Sequence, residues 1–367
     1  MKKTKLLCIL HYTPPAHGAS KVGDFIKSSE KLKDEFDCRF IKIKSSDTIE
    51  NIGKVNFKKI YLVAELFFKI LFTVIVFRPD KIYFTASIRG VAFYRDLLLS
   101  SIWKIYRFFK NCEVFYHYHT KGIKEFVESD RNKKLTKFFL KDINLVLLSP
   151  MLEADFQDVK TFNKVYYLPN GVENNYDETS FEYYILNKNF DAKINVLYLS
   201  NMIKSKGYFE VIKLANQYKD KNIHFHFAGG WQNDKDEKDF FEYIKTNNLE
   251  KSVTFHGFVN GNQKKELFES SHIFTFPTRY KNEAFPLSVL EAFSYGLPCL
   301  STDEGSIPFI IHAKSGVVIN DLDNLSKGFE DIKENYLTVE TAKYCRKRYL
   351  DMFSLEQFED NLIKVLK

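Results

Sequence analysis

Two glutamates flank the start of a predicted helix in the second half of the chain. Glu283 and Glu291 lie in the segment NEAFPLSVLEAFSYGLP, which covers residues 282–298. Pro286 suits the first position of a helix, and Gly296 with the proline that follows it suits the end. Glu283 then lies just before the helix, and Glu291 lies little more than one turn into it. The free N–H groups and the positive dipole end of such a helix form a ready binding site for phosphate.

The two carboxylates complement this phosphate site rather than form it. In direct contact with a phosphate they would repel it, so we expect them to accept hydrogen bonds from hydroxyl pairs at either end of a ligand. Lys206, in the run SNMIKSKG at residues 200–207, would meet a diphosphate and stabilise its charge as it departs. The alternative interpretation of Lys206 is a surface lysine before a helix. A nucleoside diphosphate sugar has this layout, with a ribose diol, a diphosphate and sugar hydroxyls.

The elements that must position these residues alternate in type along the chain. Short apolar runs are separated by longer amphipathic stretches, which is typical of βα units that build parallel sheets. The predicted strands are 5–10, 39–43, 81–85, 113–117, 145–149 and 164–168 in a first series, and 195–200, 223–228, 253–256, 273–277, 298–301 and 316–319 in a second. A polar, tyrosine-rich stretch from the turn at 169–171 to about residue 191 is interpreted as the connection between the two series.

These series predict an α/β fold with two Rossmann-like domains facing across a cleft, where ligands bind outside the carboxyl ends of the strands. The first domain is predicted at residues 1–172 and the second at residues 173–352. Residues 353–367 are expected to pack back on the first domain as a helix. A length of 367 residues fits two domains, and 45% hydrophobic with 28% charged residues excludes the disordered and fibrous classes.

Cysteine usage and charge indicate the cellular setting. The five cysteines are scattered without a C-x-x-C pair, so we expect neither a disulfide framework nor a zinc site, and a reducing cytoplasm fits. The basic start precedes only a short apolar run at 6–10, too short for the core of a signal peptide. Residues 1–172 carry 30 Lys and Arg against 18 Asp and Glu, whereas the remainder carries 24 against 29. This asymmetry favours contact with an anionic membrane surface, with a lysine-rich solvated surface as the alternative.

Two aromatic-rich stretches, 60–77 and 91–109, allow two interpretations. They form either an amphipathic surface that faces a membrane or core helices that cover a sheet. The most apolar part, 66–77, is shorter than the ~20 residues of a membrane span. Nucleic acid is disfavoured as a partner because no zinc-finger spacing, RNP-type motif or basic heptad region accompanies the charge. Neither a Gly-x-Gly-x-x-Gly after the first strand nor a P-loop motif is found in the sequence.

The order of the motifs resembles the retaining GT-B glycosyltransferases of the family-4 type, the glycosyl transferases group 1. The resemblance rests on the Glu-x7-Glu segment, the Lys-Gly turn at 206–207, FHFAGG at 225–230, VTFHGFV at 253–259, GSIP at 305–308, PPAHGAS at 14–20 and LPNGV at 168–172. It therefore covers nearly the whole chain, and the shared order of the motifs makes coincidence a poor explanation.

The resemblance implies roles for individual residues. Glu283 would bind hydroxyls of the transferred sugar, Glu291 the ribose, and Lys206 the diphosphate. His119 would lie near the sugar and the acceptor, and Gly18 would let a loop approach the donor. The other donor-binding residues that it implies are Asn201, Phe285, Gly257, Phe258 and Val259 (with backbone groups facing the base) and Leu287 and Ser288 (with amides facing the phosphates).

The reaction that the resemblance implies moves a sugar from a nucleoside diphosphate sugar to a hydroxyl of a glycan or lipid-linked glycan, with retention of anomeric configuration. No metal or other cofactor is expected, and the expected setting is cell-surface polysaccharide biosynthesis in the cytoplasm at the inner face of the cell membrane. Three alternatives stay open: a GT-B-fold nucleotide-sugar isomerase or epimerase, a non-catalytic relative that binds nucleotide sugars, and a nucleic-acid-binding protein.

Two positions depart from the family pattern. Asn201 stands where relatives commonly carry an arginine, which removes one cation from the diphosphate site, and Lys204 is the candidate replacement. Phe309 stands where relatives carry a glutamate, and we interpret it as a tolerated change away from the ligand.

Other candidate ligand pairs are weaker. Asp234-x-Asp236 has the form of the metal-binding pair of the other large glycosyltransferase fold, but its hydrophilic surroundings at 232–239 favour a solvated loop. The pairs His117-x-His119 and His224-x-His226 lack a third ligand at motif spacing, so strand histidines are favoured over a metal site.

Overall fold

A computed structural model describes residues 3–14, 18–43, 57–190 and 193–367. The chain divides into two compact units: Met1–Asn170 together with Leu355–Lys367, and Gly171–Ser354. The predicted domain ends, after residues 172 and 352, each lie two residues from these divisions.

The described residues of the first unit form a six-stranded parallel sheet. Its strands are β1 (Thr4–Leu10), β2 (Phe36–Lys42), β3 (Lys81–Thr85), β4 (Glu113–His117), β5 (Asn144–Leu147) and β6 (Lys164–Tyr167). They lie in the order β2-β1-β3-β4-β5-β6. The direction of winding reverses between β1 and β3, and the carboxyl ends of two such strands flank the crevice where open α/β sheets bind ligands.

Helices cover both faces of this first sheet. They are α1 (Gly18–Ser28), α2 (Glu30–Glu35), α3 (Phe57–Phe77), α4 (Gly90–Tyr106), α5 (Ile123–Phe126), α6 (Asp130–Leu140) and a 3-10 helix at Pro150–Val159. Because crossovers between parallel strands are right-handed, α1 and α2 lie on one face of the sheet and α3, α4 and α6 on the other. On that second face α3 packs against α4, and α4 packs against α6.

The second unit repeats this architecture. Its strands are β7 (Ile194–Leu199), β8 (Ile223–Ala228), β9 (Val253–Phe255), β10 (Ile273–Phe276), β11 (Cys299–Thr302) and β12 (Gly316–Ile319). The described residues place them in one parallel sheet of order β12-β11-β10-β7-β8-β9. The reversal here falls between β7 and β10, so the loops that follow these two strands flank the ligand crevice of this unit.

The second unit has its own set of helices. They are α7 (Glu178–Leu186), α8 (Tyr208–Gln217), α9 (Asp234–Thr246), α10 (Gly261–Ser270), α11 (Leu287–Ser294), α12 (Ile307–Ile310), α13 (Leu325–Asn335) and α14 (Val339–Met352), with 3-10 helices at Lys204–Lys206 and Leu322–Asn324. The last helix, α15 (Leu355–Leu366), belongs to the first unit. Its Phe358, Leu362 and Leu366 follow one another at four-residue intervals and are buried with Val22 and Leu32 in the core of that unit.

The predicted α/β fold with two Rossmann-like series of strands is confirmed. Each predicted strand is present, although β2 begins at Phe36 rather than at residue 39 because it follows α2 directly.

Two local interpretations were wrong, and helix caps explain both. The tyrosine-rich stretch is no simple connection, because the Asp177 side chain accepts the N–H of Ser180 and starts α7. Phe181 of that helix is buried in a cluster with Ala342 of the second unit. The run at 232–239 is no loop either, because the Asn233 side chain accepts the N–H of Asp236 and starts α9.

Candidate functional site

Two loops bring Lys206 and Glu283 together at the carboxyl edge of the second sheet. Lys206 ends the 3-10 helix after β7, and Glu283 lies in the loop after β10, so both follow the strands that flank the crevice. Lys206 Nζ lies 3.1 Å from Glu283 Oε2, and the two side chains are only 17% and 11% exposed. The ammonium group also lies over the rings of Phe276 and Tyr280. This is a largely desolvated ion pair with aromatic walls.

Close backbone contact fixes the loop that carries Lys206. Gly207 has a φ of +89°, and a Cβ at that position would lie 2.3 Å from the carbonyl oxygen of Pro277. The N–H of Arg279 donates to the Ser205 carbonyl over 2.7 Å. The Tyr198 hydroxyl donates to the Lys206 carbonyl over 3.2 Å. The Lys-Gly turn of the sequence is therefore the point where the two crevice loops touch.

A third loop supports Glu283. Gly305, which follows β11, has a φ of +57°, and a Cβ there would lie 2.1 Å from the Glu283 carbonyl oxygen. The next residue, Ser306, donates its N–H to the Ala284 carbonyl over 2.9 Å. The GSIP motif thus holds the backbone of the glutamate.

The Glu283 carboxylate has acceptor capacity to spare. Within the described part of the chain, its Oε2 atom is buried and accepts no hydrogen bond with good geometry, so the ammonium group of Lys206 is its electrostatic partner. Burial raises the pKa of Tyr198 well above its ordinary value, and the charge of Glu283 adds to that shift. A neutral tyrosine therefore lies beside the charged pair.

The helix after Glu283 starts one residue later than predicted. Pro286 is the N-cap, with a ψ of 115°, and Leu287 is the first helical residue. An extended ψ of this kind lies outside the helical range, which corrects the prediction of Pro286 at the first helical position. The first backbone N–H groups of a helix have no acceptor within that helix. In α11 the N–H groups of Leu287 and Ser288 are the first two. Gly296, with a φ of +71°, follows the end of the helix, as predicted.

The second predicted carboxylate is also paired with a lysine. Glu291 Oε1 lies 2.5 Å from Lys264 Nζ, and the side chains are 19% and 22% exposed. Lys264 is in α10, just after the loop at 256–260, and no sequence motif points to it. Its neighbour Lys265 pairs with Glu269 one turn along the same helix, and no local pattern distinguishes the two lysines.

The loop after β9 contributes the predicted residues Gly257, Phe258 and Val259. Gly257 has a φ of +66°, and a Cβ there would meet nothing within 4 Å. Its carbonyl accepts the N–H of Gly229 over 2.8 Å. Phe258 is exposed whereas Val259 is buried. Because the sheet is parallel, this loop lies at the same edge as Lys206.

The two departures from the family pattern have different surroundings. Asn201 is exposed after β7. Lys204 does not lie beside Lys206, because its ammonium group lies over the Phe209 ring, in a groove that Asp236 of α9 also lines. Phe309 is half-buried, and its ring contacts those of Phe285 and Phe353 in an aromatic cluster. Phe285, a predicted donor-site residue, is itself buried.

The predicted residues Gly18 and His119 belong to the first unit, and the other predicted site residues belong to the second. Gly18 starts α1, whereas residues 15–17 of the PPAHGAS motif lie outside the described residues. The His119 ring lies 4.0 Å from that of His117, centroid to centroid. Burial, with a contribution from His119, lowers the pKa of His117 well below its ordinary value. Nδ1 of the neutral ring shares a 2.5 Å hydrogen bond with the Tyr83 hydroxyl.

The described residues contain no group of three His, Cys, Asp or Glu side chains arranged to hold a metal ion. His226 Nδ1 lies 3.0 Å from His256 Nε2 on neighbouring parts of the second sheet. Burial lowers the pKa of His226 to about 4. Asp234 and Asp236 lie in the first turn of α9, where carboxylates stabilise a helix through its dipole.

Several known proteins that are similar to part of this chain carry glycosyltransferase names. Residues 186–349 match the family model of the glycosyl transferases group 1. A 41.2 kDa protein of the cps region of Klebsiella pneumoniae is 26% identical over 181 residues, 48% of this chain and 46% of its own length. WcaL of Escherichia coli, named for colanic acid biosynthesis, is 24% identical over 35% of this chain and 33% of its own length. The D-rhamnosyltransferase WbpZ of Pseudomonas aeruginosa is 35% identical over 19% of each chain. The matched segments thus span less than half of each relative.

Solved structures match the chain over almost its whole length. The sucrose-phosphate synthase of Thermosynechococcus elongatus superposes with a TM-score of 0.72, 16% identity and coverage of 99% of this chain and 98% of its own. Anabaena HepE, solved in complex with UDP-glucose, gives a TM-score of 0.69 with 14% identity and coverage of 98% and 99%. The chain therefore has the fold of solved GT-B glycosyltransferases, and its residues 186–349 match the glycosyl transferases group 1 family.

Proposed function

We propose that this protein is a glycosyltransferase that moves a sugar from a nucleoside diphosphate sugar to a hydroxyl of a glycan or lipid-linked glycan. The observation that carries the proposal is the Lys206–Glu283 pair, whose charged atoms lie 3.1 Å apart at the sheet crevice, with Glu283 four residues before the start of α11. A cation and a helix start suit a diphosphate, and a carboxylate with acceptor capacity to spare suits sugar hydroxyls.

Each part of the donor then has a recognition element. Lys206 and the amides of Leu287 and Ser288 bind the diphosphate, and Glu283 accepts hydrogen bonds from the sugar hydroxyls. Glu291 accepts hydrogen bonds from the ribose, with Lys264 holding its other oxygen. In the free protein, Glu283 neutralises the positive charge of Lys206. A bound diphosphate neutralises that charge in place of Glu283. Donor binding therefore frees the carboxylate for the sugar.

We further propose that transfer retains the anomeric configuration and needs no metal. The bond between the sugar C1 and the diphosphate oxygen breaks, and the acceptor oxygen bonds to C1 on the same face. The acceptor proton passes to the departing phosphate oxygen, so no protein nucleophile is required. Lys206 and the helix start stabilise the negative charge that develops on the diphosphate, which is the task a metal performs in other enzymes. A position of His119 near the sugar and the acceptor stays a prediction from the family resemblance.

The proposed setting is cell-surface polysaccharide biosynthesis in the cytoplasm. The cps region of the Klebsiella relative and the colanic acid name of the E. coli relative support it. HepE, which shares the fold, was solved in complex with UDP-glucose, and this supports a nucleotide-sugar donor.

The test is a thermal-shift panel with UDP, GDP, ADP, dTDP and CMP and their common sugar conjugates. A ligand at 100 times its Kd stabilises a protein by about 2.7 kcal/mol, so a binding nucleotide raises the Tm. We expect one nucleoside diphosphate to shift the Tm, and Lys206→Ala and Glu291→Ala to abolish that shift. Lys343→Ala, which removes an exposed partner of Glu182 in the same unit, is the matched control and keeps the shift. The absence of a shift with every compound would contradict the donor site.

Turnover separates the remaining candidates. The identified sugar nucleotide is incubated with and without glycan acceptors, with excess EDTA, and the product is analysed by NMR. Transfer with an unchanged anomeric configuration supports the proposal, and transfer with inversion or loss of activity in EDTA overturns its mechanism. Conversion of the donor sugar without an acceptor would identify an isomerase. Binding without any turnover would identify a non-catalytic relative. The departures from the family pattern at Asn201 and Phe309 would then be the first candidates for the cause.

A further inference from the structure

The helix α3 carries apolar side chains on two sides. One stripe of the helix is buried in the first unit and contains Leu66, Ile70, Val74 and Phe77. The opposite side is exposed and is apolar as well, with large side chains that are more than half exposed: Ile60, Tyr61, Phe68, Phe72, Ile75 and Val76. A surface helix of a soluble protein carries polar residues on that side. The outward side of α3 is therefore mostly apolar, with Glu65 and Lys69 as exposed charged residues among these side chains.

The neighbouring helix continues the same surface. The residues Val91, Tyr94, Leu98 and Ile105 of α4 recur at helical spacing and are exposed. Phe108 and Phe109 follow the end of this helix and are 86% and 82% exposed. Phe138 of α6 is exposed as well. Because α3, α4 and α6 are neighbours on one face of the sheet, these side chains form one surface, which we call the apolar face. Apolar patches of this extent mark interaction sites.

Cations border the apolar face. Lys104 Nζ lies over the Phe138 ring at 4.9 Å from its centroid. Arg107 donates to the Asp142 carbonyl, and Lys110 pairs with Asp80, so both remain at the end of α4 beside the two exposed phenylalanines. Residues 57–142 contain 17 Lys and Arg against 8 Asp and Glu. Large apolar side chains with a cationic border complement the acyl chains and the negative headgroups of an anionic bilayer.

We propose that the apolar face lies in the interfacial layer of an anionic phospholipid bilayer, with α3 and α4 parallel to the membrane plane. The proposal names the part of the molecule that contacts the membrane and the chemistry of the partner. It does not depend on the proposed sugar transfer, since every residue that carries it lies outside the candidate site.

The alternative of a membrane-spanning α3 conflicts with its packing. By length and composition the segment Ile60–Phe77 is apolar enough to cross a bilayer. However, β2 and β3, which precede and follow α3, both pair with β1 in one sheet. Lys5 of β1 donates its ammonium group to the carbonyl of Phe77 and lies over the ring of the same residue. A spanning orientation would break these contacts and expose the buried stripe, whereas an in-plane orientation keeps them.

The first experiment measures sedimentation of the full-length protein with vesicles. We expect the protein to pellet with phosphatidylglycerol–phosphatidylcholine vesicles and to bind pure phosphatidylcholine vesicles more weakly, with added salt weakening the binding to anionic vesicles. Phe108→Ser combined with Phe109→Ser should lower the vesicle affinity about tenfold or more, because two large apolar groups no longer enter the bilayer. The matched control is Tyr183→Ser combined with Leu186→Ser, which removes exposed apolar side chains from α7 of the second unit and should leave the affinity unchanged.

Several results would overturn the proposal. Failure of the wild-type protein to bind anionic vesicles, or equal binding by the phenylalanine variant and the control, would do so. Because both phenylalanines are exposed, the variant should keep the wild-type Tm, which excludes misfolding as the cause of lost binding. A lipid-free dimer that the phenylalanine variant dissociates, with no vesicle binding, would assign the apolar face to a second copy of the chain.

The orientation is tested separately. Phe109→Trp adds an exposed indole, and its emission should shift to the blue with anionic vesicles and be quenched by brominated acyl chains. Alkaline carbonate should extract the wild-type protein from membranes. Retention in the membrane after that treatment would indicate a spanning helix and would overturn the in-plane orientation.

Discussion

Lys206 Nζ and Glu283 Oε2 lie 3.1 Å apart on the two loops that flank the crevice of the second sheet. The pair is enclosed by Phe276 and Tyr280, and the glutamate oxygen makes no other polar contact among the described residues. The two groups neutralise each other in the free protein. A dianionic diphosphate that takes Lys206 as its partner therefore changes the electrostatic state of Glu283 directly.

Removing one member of this pair should destabilise the protein more than removing both. Lys206→Met leaves a buried carboxylate without its cation, which should lower the free energy of unfolding by about 1–3 kcal/mol. Adding Glu283→Gln should recover part of that loss, because no uncompensated charge remains. Urea unfolding of the single and double variants measures the coupling. Lys343→Met, at an exposed pair, should change stability by less than about 0.5 kcal/mol, and an equal effect at both lysines would contradict the argument.

Glu291 should determine recognition of the ribose. A carboxylate that accepts hydrogen bonds from ribose hydroxyls binds a 2′-deoxynucleotide more weakly, since an acceptor is left unpaired. We expect the matching nucleoside diphosphate to bind about tenfold more tightly than its 2′-deoxy form, and Glu291→Ala to remove that difference. Isothermal titration of both ligands against both proteins measures it. Lys265→Ala, beside Lys264 on α10, is the control, and a preserved difference in Glu291→Ala would exclude Glu291 from the ribose site.

The strands and the end of α11 could be predicted from the sequence because they depend on local patterns. Alternation of apolar runs and helical stretches is enough to place the strands of both sheets, and the glycine after α11 marks its end. The predicted start of α11 was enough to place Glu283 before this helix and Glu291 within it. The fold of each unit was therefore predictable without knowing which residues touch.

The partners of the site carboxylates were less accessible to sequence reasoning. Lys264 meets Glu291 only because α10 and α11 are brought together by the sheet. Lys204 and Lys206 are two residues apart on the same 3-10 helix, yet they lie over different rings, those of Phe209 and Tyr280. Side-chain direction in such short turns depends on tertiary packing. Helix caps at Asp177 and Asn233 are local signals that sequence reasoning could have used.

The loops that hold the candidate site should tolerate no side chain at two glycines. Gly207→Ala and Gly305→Ala would each place a methyl group within 2.3 Å of a carbonyl oxygen in a left-handed backbone conformation. We expect each to lower the free energy of unfolding by about 1–3 kcal/mol and to weaken nucleotide binding, because the loops must separate. Gly230→Ala is the control, since a Cβ there meets nothing and its φ is not positive. If chemical unfolding showed that Gly230→Ala lowers the free energy of unfolding as much as the other two substitutions do, the close contact of Gly207 and Gly305 with carbonyl oxygens would be contradicted.

A buried histidine should make the stability of the second unit depend on pH. His272 is 7% exposed, accepts the N–H of Asn195 at Nδ1 and donates from Nε2 to the Asn189 carbonyl, so both ring nitrogens are used by the neutral form. Burial, with a contribution from the charge of Lys188, lowers its pKa to about 4. Between that value and the pKa of about 6.5 in the unfolded chain, the unfolded state binds more protons. Stability therefore rises with pH across this window and is lost as the pH falls through it.

The size of this effect follows from the same shift. A histidine whose pKa falls by about two units or more on folding contributes about 3 kcal/mol above pH 6.5, and this contribution is lost by about pH 4. His272→Gln keeps one donor and one acceptor but does not titrate, so the difference in unfolding free energy between wild type and variant should change by that amount between pH 7 and pH 4. Urea unfolding at several pH values measures it, and the carboxyl groups common to both proteins cancel in the difference. His312→Gln, at an exposed position, is the control. Parallel stability curves for wild type and His272→Gln would mean that the folded protein protonates His272 as readily as the unfolded chain does.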